Sequence, residues 1–160
     1  ILELGGKDPF IVCDDTQPEE LAQLVVRGAF QNMGQNCAGP ERFIVYNKVY
    51  DRFCESVAAL VKTIKQGPPL SSEFVDCGAC VHPPSLENYQ RFVDDAVAKG
   101  ARVLAGGSRN SELTNGQFFQ PTVLADVTEE MLVAKEETFG PILCIFRVRG
   151  DDDDEAVRLA

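Results

Sequence analysis

A mostly parallel β-sheet flanked by helices is the fold class this sequence predicts, on three observations. Short runs rich in β-branched and aromatic residues alternate along the chain with amphipathic segments of helical period. Residues 142–148 open with five consecutive apolar side chains, the pattern of a strand buried on both faces. No internal repeat or low-complexity linker divides the 160 residues, of which 44% are hydrophobic. That is enough for one core that buries roughly 70% of the unfolded surface.

The elements follow in order. Residues 9–12 read as a buried strand, and 18–32 as a helix with Leu21, Leu24, Val25 and Ala29 on one face and Glu19 and Glu20 in its first turn. Residues 43–46 (Phe-Ile-Val-Tyr) form a second strand. The helix after it, 49–64, keeps Val49, Phe53, Val57, Leu60, Val61 and Ile64 in register until Gly67-Pro68-Pro69 stops it. After a looser stretch, Ser85 is placed to cap a helix carrying Leu86, Tyr89, Phe92, Val93, Ala96 and Val97, which Gly100 ends. A short strand at 102–104, a polar loop, a strand at 118–123 and a short helix at 129–135 lead to the 142–148 strand. Residues 154–160 begin a last helix, and the acidic run Asp151 to Glu155 suits its positive N-terminal end without a bound cation.

Charge and composition exclude several classes. With 25 acidic and 15 basic residues the chain carries a formal charge of −10, and phosphate backbones need clustered Lys and Arg, so nucleic acid is not an expected partner. No run reaches the ~20 apolar residues of a membrane span, and no membrane partner is expected. Six cysteines are dispersed through apolar patterns instead of framing a loop-rich scaffold, which suits a reducing, cytoplasmic setting. Cys13 and Cys144 read as small hydrophobes inside buried strands.

Two residues suggest covalent chemistry. Cys37 lies in Gly34-Gln35-Asn36-Cys37-Ala38-Gly39-Pro40-Glu41-Arg42, a glycine-bracketed loop between a helix and a strand, where a nucleophile would be displayed. Glu3 lies in Glu3-Leu4-Gly5-Gly6-Lys7, where two glycines allow a tight turn, and a carboxylate is a common general base when water must break a thioester. Taken singly, Cys37 could be a structural thiol and Glu3 a solvated carboxylate. Neither a Gly-x-Gly-x-x-Gly nor a Gly-x-x-x-x-Gly-Lys-Ser/Thr pattern occurs, so the chain lacks a phosphate-cradling loop of its own.

Glu3-Leu4-Gly5-Gly6-Lys7 resembles the general-base motif of the aldehyde dehydrogenase superfamily, and Gly34-Gln35-Asn36-Cys37 with Arg42 resembles its nucleophile motif at the usual separation of 34 residues. Glu136-Glu137-Thr138-Phe139-Gly140-Pro141 is similar to its cofactor-contacting block. The resemblance also covers residues 94–107 and 119–124, and so nearly the whole chain.

It implies NAD(P)-dependent oxidation of a small-molecule aldehyde to a carboxylic acid, with Cys37 as nucleophile, Glu3 as general base and no metal. Glu137 would accept hydrogen bonds from the nicotinamide ribose, and Phe139 would pack beside the nicotinamide. For Glu137 the competing reading is a solvated acidic face, and for Phe139 ordinary core packing. Arg42 is expected to be structural, holding the nucleophile loop. The resemblance further implies that residues 1–160 are an incomplete catalytic domain. A Rossmann-type cofactor domain and a C-terminal segment would be absent, the isolated chain would be inactive, and the complete protein would be a homo-oligomer binding NAD or NADP.

Other readings stay open. A CoA-acylating semialdehyde dehydrogenase would use the same cysteine, although Glu3 counts against it. Cys77-Gly78-Ala79-Cys80 with His82 has the spacing of a redox or zinc module, and the family usually has Gly-Pro and apolar residues there, but a second ligand pair is missing. An interaction fragment with an unpaired sheet edge is a third possibility.

Overall fold

Each expected strand and helix forms, with shifted ends, in the computed structural model, which describes every residue except Glu3, Ser72 and Glu73 and the side chain of Asp151. The order is β1 (Asp8–Val12), α1 (Pro18–Phe30), β2 (Pro40–Tyr46), α2 (Asn47–Val61), α3 (Ser85–Ala98), β3 (Arg102–Ala105), β4 (Thr122–Ala125), α4 (Leu132–Lys135), β5 (Ile142–Val148) and α5 (Asp153–Leu159). Pro18 opens α1, where its missing N–H has no intrahelical partner to lose, and Glu19 and Glu20 meet the positive end of the helix dipole. The acidic run works the same way: the Asp152 carboxylate accepts from the Asp154 N–H at 2.9 Å and caps α5.

The shifted ends have local causes. The helix expected over 18–32 stops at Phe30, because Asn32 and Met33 take left-handed backbone angles (φ 54° and 58°). Ser85 is not a cap. Pro84 holds that position, and the amides of Ser85, Leu86 and Glu87 donate to the carbonyls of His82, Pro83 and Pro84, so the helix start needs no side-chain acceptor. The strand expected at 118–123 begins only at Thr122, since Pro121 has no N–H for the ladder. Phe118 and Gln120 pair instead with Asn110 and Ser108. The helix expected over 129–135 shrinks to one turn, and Asp95 of α3 accepts from the Leu132 N–H at its start, at 2.7 Å. Cys13 is exposed, because β1 ends at Val12 and Thr16 closes a turn onto the Cys13 carbonyl. Cys144 is fully buried in β5, as expected.

The sheet order is β1-β2-β5-β4-β3, parallel except for the antiparallel β3–β4 pair. Six of the seven residues of β5, the middle strand, are buried, so both its faces are covered. α1 and α2 pack on each other and over β2 and β5, and α5 packs on β2. Phe43 of β2 sits between Phe10 and Phe53, with ring centroids 5.3 and 6.5 Å away. Among the described residues no helix is long and apolar enough to cross a membrane.

This order has a consequence for the three sequence blocks. Residues 4–7 run into β1, residues 35–39 into β2, and residues 136–141 into β5. β1, β2 and β5 are neighbours and parallel, so the three blocks meet at the N-terminal edge of the sheet although more than 100 residues separate the first from the last. The contact is closest at Gly34 (φ 68°), where an added Cβ would lie 2.2 Å from the Gly140 carbonyl oxygen and 2.9 Å from that of Ala29. Gly34→Ala is therefore expected to destabilise the fold by more than about 2 kcal/mol. Chemical denaturation checks this: the midpoint should fall with an unchanged slope, and an unchanged midpoint would contradict the close approach.

Candidate functional site

A cleft of about 540 Å³ opens where the three blocks meet, lined by Leu4 and Gly5 of the first, Gln35, Asn36 and Cys37 of the second, and Glu137 and Phe139 of the third. The path to Cys37 begins with the left-handed turn after α1. There the Asn32 side chain donates to the Gln35 carbonyl (3.1 Å) and the Gln35 side chain donates back to the Asn32 carbonyl (2.9 Å). The Gln35 side-chain oxygen also accepts from the Val81 N–H at 2.7 Å, which ties the segment before α3 to the same loop. Asn36 then folds over its own backbone, accepting from the Ala38 N–H through its side chain at 3.2 Å and from the Gly39 N–H through its carbonyl at 3.1 Å. These bonds leave Cys37 half-buried at the cleft wall.

Glu3 lies outside the described residues, but its neighbours place the first block. The Gly6 N–H donates to Glu137 Oε1 at 3.0 Å, and a Cβ on Gly6 would lie 2.4 Å from the Cys37 carbonyl oxygen. At Gly5 (φ 84°) a Cβ would lie 2.4 Å from Glu137 Oε2. The Gly5-Gly6 turn thus makes a cradle that only a chain without side chains can form, and Glu137 lies in it. The structure brings Cys37, Glu137 and Phe139 to one cleft. Phe139 is 44% exposed, and its backbone is left-handed (φ 45°).

Glu41 is the residue that the sequence did not single out. It is 5% exposed, and its carboxylate ties its own block, the second, to the first and the third. Lys7 Nζ donates to Oε2 at 2.5 Å, the Thr138 N–H to Oε2 at 2.9 Å, and the Phe139 N–H to Oε1 at 2.8 Å. Lys7 Nζ also donates to the Thr138 hydroxyl at 3.0 Å. A charged residue between Pro40 and Arg42 looks like a surface residue on the page, and only the three-dimensional partners explain its burial. Arg42 is structural, as expected, but holds other parts of the chain than the nucleophile loop. It donates to the Lys7 carbonyl (2.9 Å) and to the Leu159 and Ala160 carbonyls at the end of α5 (2.6 and 2.8 Å).

Cys77, Cys80 and His82 are not among the residues that line this cleft. Burial pushes the Cys77 thiol up to about 11 and raises Cys80 as well, so both hold their protons at neutral pH. His82 is exposed, and among the described residues no three His, Cys, Asp or Glu side chains converge as a metal site. A second concavity, of about 460 Å³ beside α1 and α2, reaches Cys77, but that protonated thiol makes a poor nucleophile.

The residues of the main cleft fit a dinucleotide's nicotinamide end. Glu137 presents an acceptor-only carboxylate, of whose roughly four lone-pair directions the Gly6 N–H takes one, and this suits a ribose diol. Phe139 offers an exposed flat ring. The Lys7–Glu41 pair is expected to hold this wall together. Lys7→Met should destabilise the fold by about 3 kcal/mol by leaving a buried carboxylate without its cation, and adding Glu41→Gln should restore part of the loss. Urea denaturation of the two variants decides it; a loss within about 0.5 kcal/mol, as for a surface pair, would contradict the buried network.

Comparison with known proteins agrees with this geometry. The sequence profile of the aldehyde dehydrogenase family matches residues 1–160. The glutarate-semialdehyde dehydrogenase of Pseudomonas putida is 40% identical over 159 residues, covering 99% of this chain and 32% of that protein. Aldehyde dehydrogenase C of Pseudomonas syringae, solved as a variant with NAD+ and octanal, superposes with a TM-score of 0.90 at 32% identity, over 98% of this chain and 32% of that one. An NADP-dependent glyceraldehyde-3-phosphate dehydrogenase from Bacillus halodurans, solved with NADP, superposes with a TM-score of 0.88 at 39% identity, over 98% of this chain and 31% of that one. The chain spans about a third or less of the length of these relatives. With a profile match along its whole length, the chain belongs to the aldehyde dehydrogenase family.

Proposed function

We propose that these 160 residues are the catalytic part of a longer enzyme that oxidises an aldehyde to a carboxylic acid with NAD or NADP. The observation that carries this reading is the meeting of Cys37, Glu137 and Phe139 in one cleft at the N-terminal edge of the sheet. A Rossmann-type domain holding the rest of the dinucleotide, and a C-terminal segment that pairs subunits into a homo-oligomer, would lie outside this chain. Six free cysteines, none of them in a disulfide, suit a cytoplasmic enzyme.

In this reading the Cys37 thiolate attacks the aldehyde carbon. A C–S bond forms, and the carbonyl π electrons move to oxygen to give a thiohemiacetal alkoxide. The Cys37 backbone N–H, with a side-chain donor from outside this chain, would hold that oxygen. Bound NAD or NADP supplies the acceptor for the hydride that leaves the tetrahedral carbon. A thioester then remains on Cys37. Glu3 takes a proton from water, the resulting hydroxide adds to the thioester, and the C–S bond breaks to release the acid and restore the thiolate. Hydrolysis by Glu3, instead of transfer to CoA, makes the carboxylic acid the product.

Rapid mixing of the complete protein with aldehyde and NAD or NADP tests this. Glu3→Gln should give a burst of reduced cofactor followed by steady-state turnover about 10² to 10⁴-fold below wild type. Cys37→Ala should give no burst. Unchanged steady-state turnover in either variant would overturn the assignment.

A further inference from the structure

Phe139 holds a left-handed backbone conformation that bulky residues seldom adopt, and its main chain is gripped at both polar groups. Its N–H donates to Glu41 Oε1 at 2.8 Å, and its carbonyl accepts from the Tyr89 hydroxyl at 2.7 Å. Both partners are fixed from behind. Glu41 is paired with Lys7, and also accepts from the Thr138 N–H. Tyr89 comes from α3, is 1% exposed, and meets the Phe119 ring edge-on at 5.5 Å. Its ring lies so close to Gly140 that a Cβ there would sit 2.3 Å from it. Burial raises the Tyr89 phenol far above its usual range, so it stays a donor at any working pH. The grip is confined to the backbone, and the Phe139 side chain is left standing at the cleft.

We propose that Glu41 and Tyr89 are positioning residues that clamp the main chain of Phe139 from opposite sides and so hold its ring, with the adjacent Glu137 carboxylate, in the orientation that receives the nicotinamide end of the dinucleotide. The proposal rests on the functional reading above. Neither residue touches the cofactor in this account. Each acts by denying the segment the right-handed conformation that Phe139 would otherwise prefer, which would swing the ring away from the cleft.

The test uses the complete protein with two conservative variants, Tyr89→Phe and Glu41→Gln. Calorimetric titration with NAD and with NADP should show dissociation constants about three- to tenfold weaker for Tyr89→Phe, the effect of one neutral hydrogen bond, and about ten- to a hundredfold weaker for Glu41→Gln. In Tyr89→Phe, alkylation of Cys37 by iodoacetamide, mapped by mass spectrometry, should stay within about twofold of wild type, because the bond removed there is made to the Phe139 carbonyl and not to the Cys37 loop. Amide hydrogen exchange at Phe139 should speed up in Glu41→Gln, as its N–H loses a charged acceptor. Wild-type protein that binds a dinucleotide, with both folded variants binding it equally well, overturns the clamp alone. Wild-type protein that binds neither NAD nor NADP overturns the functional reading and the clamp's role together.

Discussion

Glu41 carries one negative charge into the interior, and two distant stretches of chain supply what that charge needs. Lys7 provides the counter-ion, and the backbone N–H groups of Thr138 and Phe139 provide directed hydrogen bonds. A buried carboxylate without partners is strongly unfavourable, and this one is satisfied only when residues 4–7, 35–41 and 136–141 are assembled together. The network therefore selects one arrangement of the cleft over looser packings that an apolar core would tolerate. The same groups that satisfy Glu41 belong to the segments that carry the cleft residues, so folding and site assembly are one event.

The sheet order makes that assembly possible. In open α/β sheets ligands usually collect at the carboxyl ends of the strands. Here the cleft residues lie before the strands, at the amino ends of β1, β2 and β5. Adjacent parallel strands bring their preceding loops side by side, and three glycines allow close contacts that Cβ atoms would block: Gly5 against the Glu137 carboxylate, Gly6 against the Cys37 carbonyl, and Gly34 against the Gly140 carbonyl. The positions of these glycines in the blocks thus have a mechanical reason that does not involve catalysis directly.

Much of the fold was legible in the sequence because its signals are local. Periodicity placed the five helices and five strands of the described residues, and the uninterrupted apolar run identified β5 as a strand buried on both faces, while its middle position came only from the sheet order. Errors fell where long-range contacts or special backbone angles decide. The left-handed Asn32 and Met33 ended α1 early, Pro121 delayed β4, and backbone carbonyls replaced the cap expected from Ser85. Within the candidate site, Cys37, Glu137 and Phe139 were legible as candidates because their motifs are contiguous, and the structure brings all three to one cleft. Glu41 and Tyr89 were not legible, since their roles depend on partners 98 and 50 residues away, and no short pattern records such a pairing.

The central claim is that the Cys37 sulfur forms the covalent bond to substrate. Acid quench of the complete Glu3→Gln protein during turnover, followed by peptide mass spectrometry, measures this directly. The account predicts an acyl adduct, equal to the aldehyde's acyl group, on the peptide containing Cys37 and on no other cysteine. An adduct at a different residue, or sustained turnover with Cys37 unmodified, would contradict it.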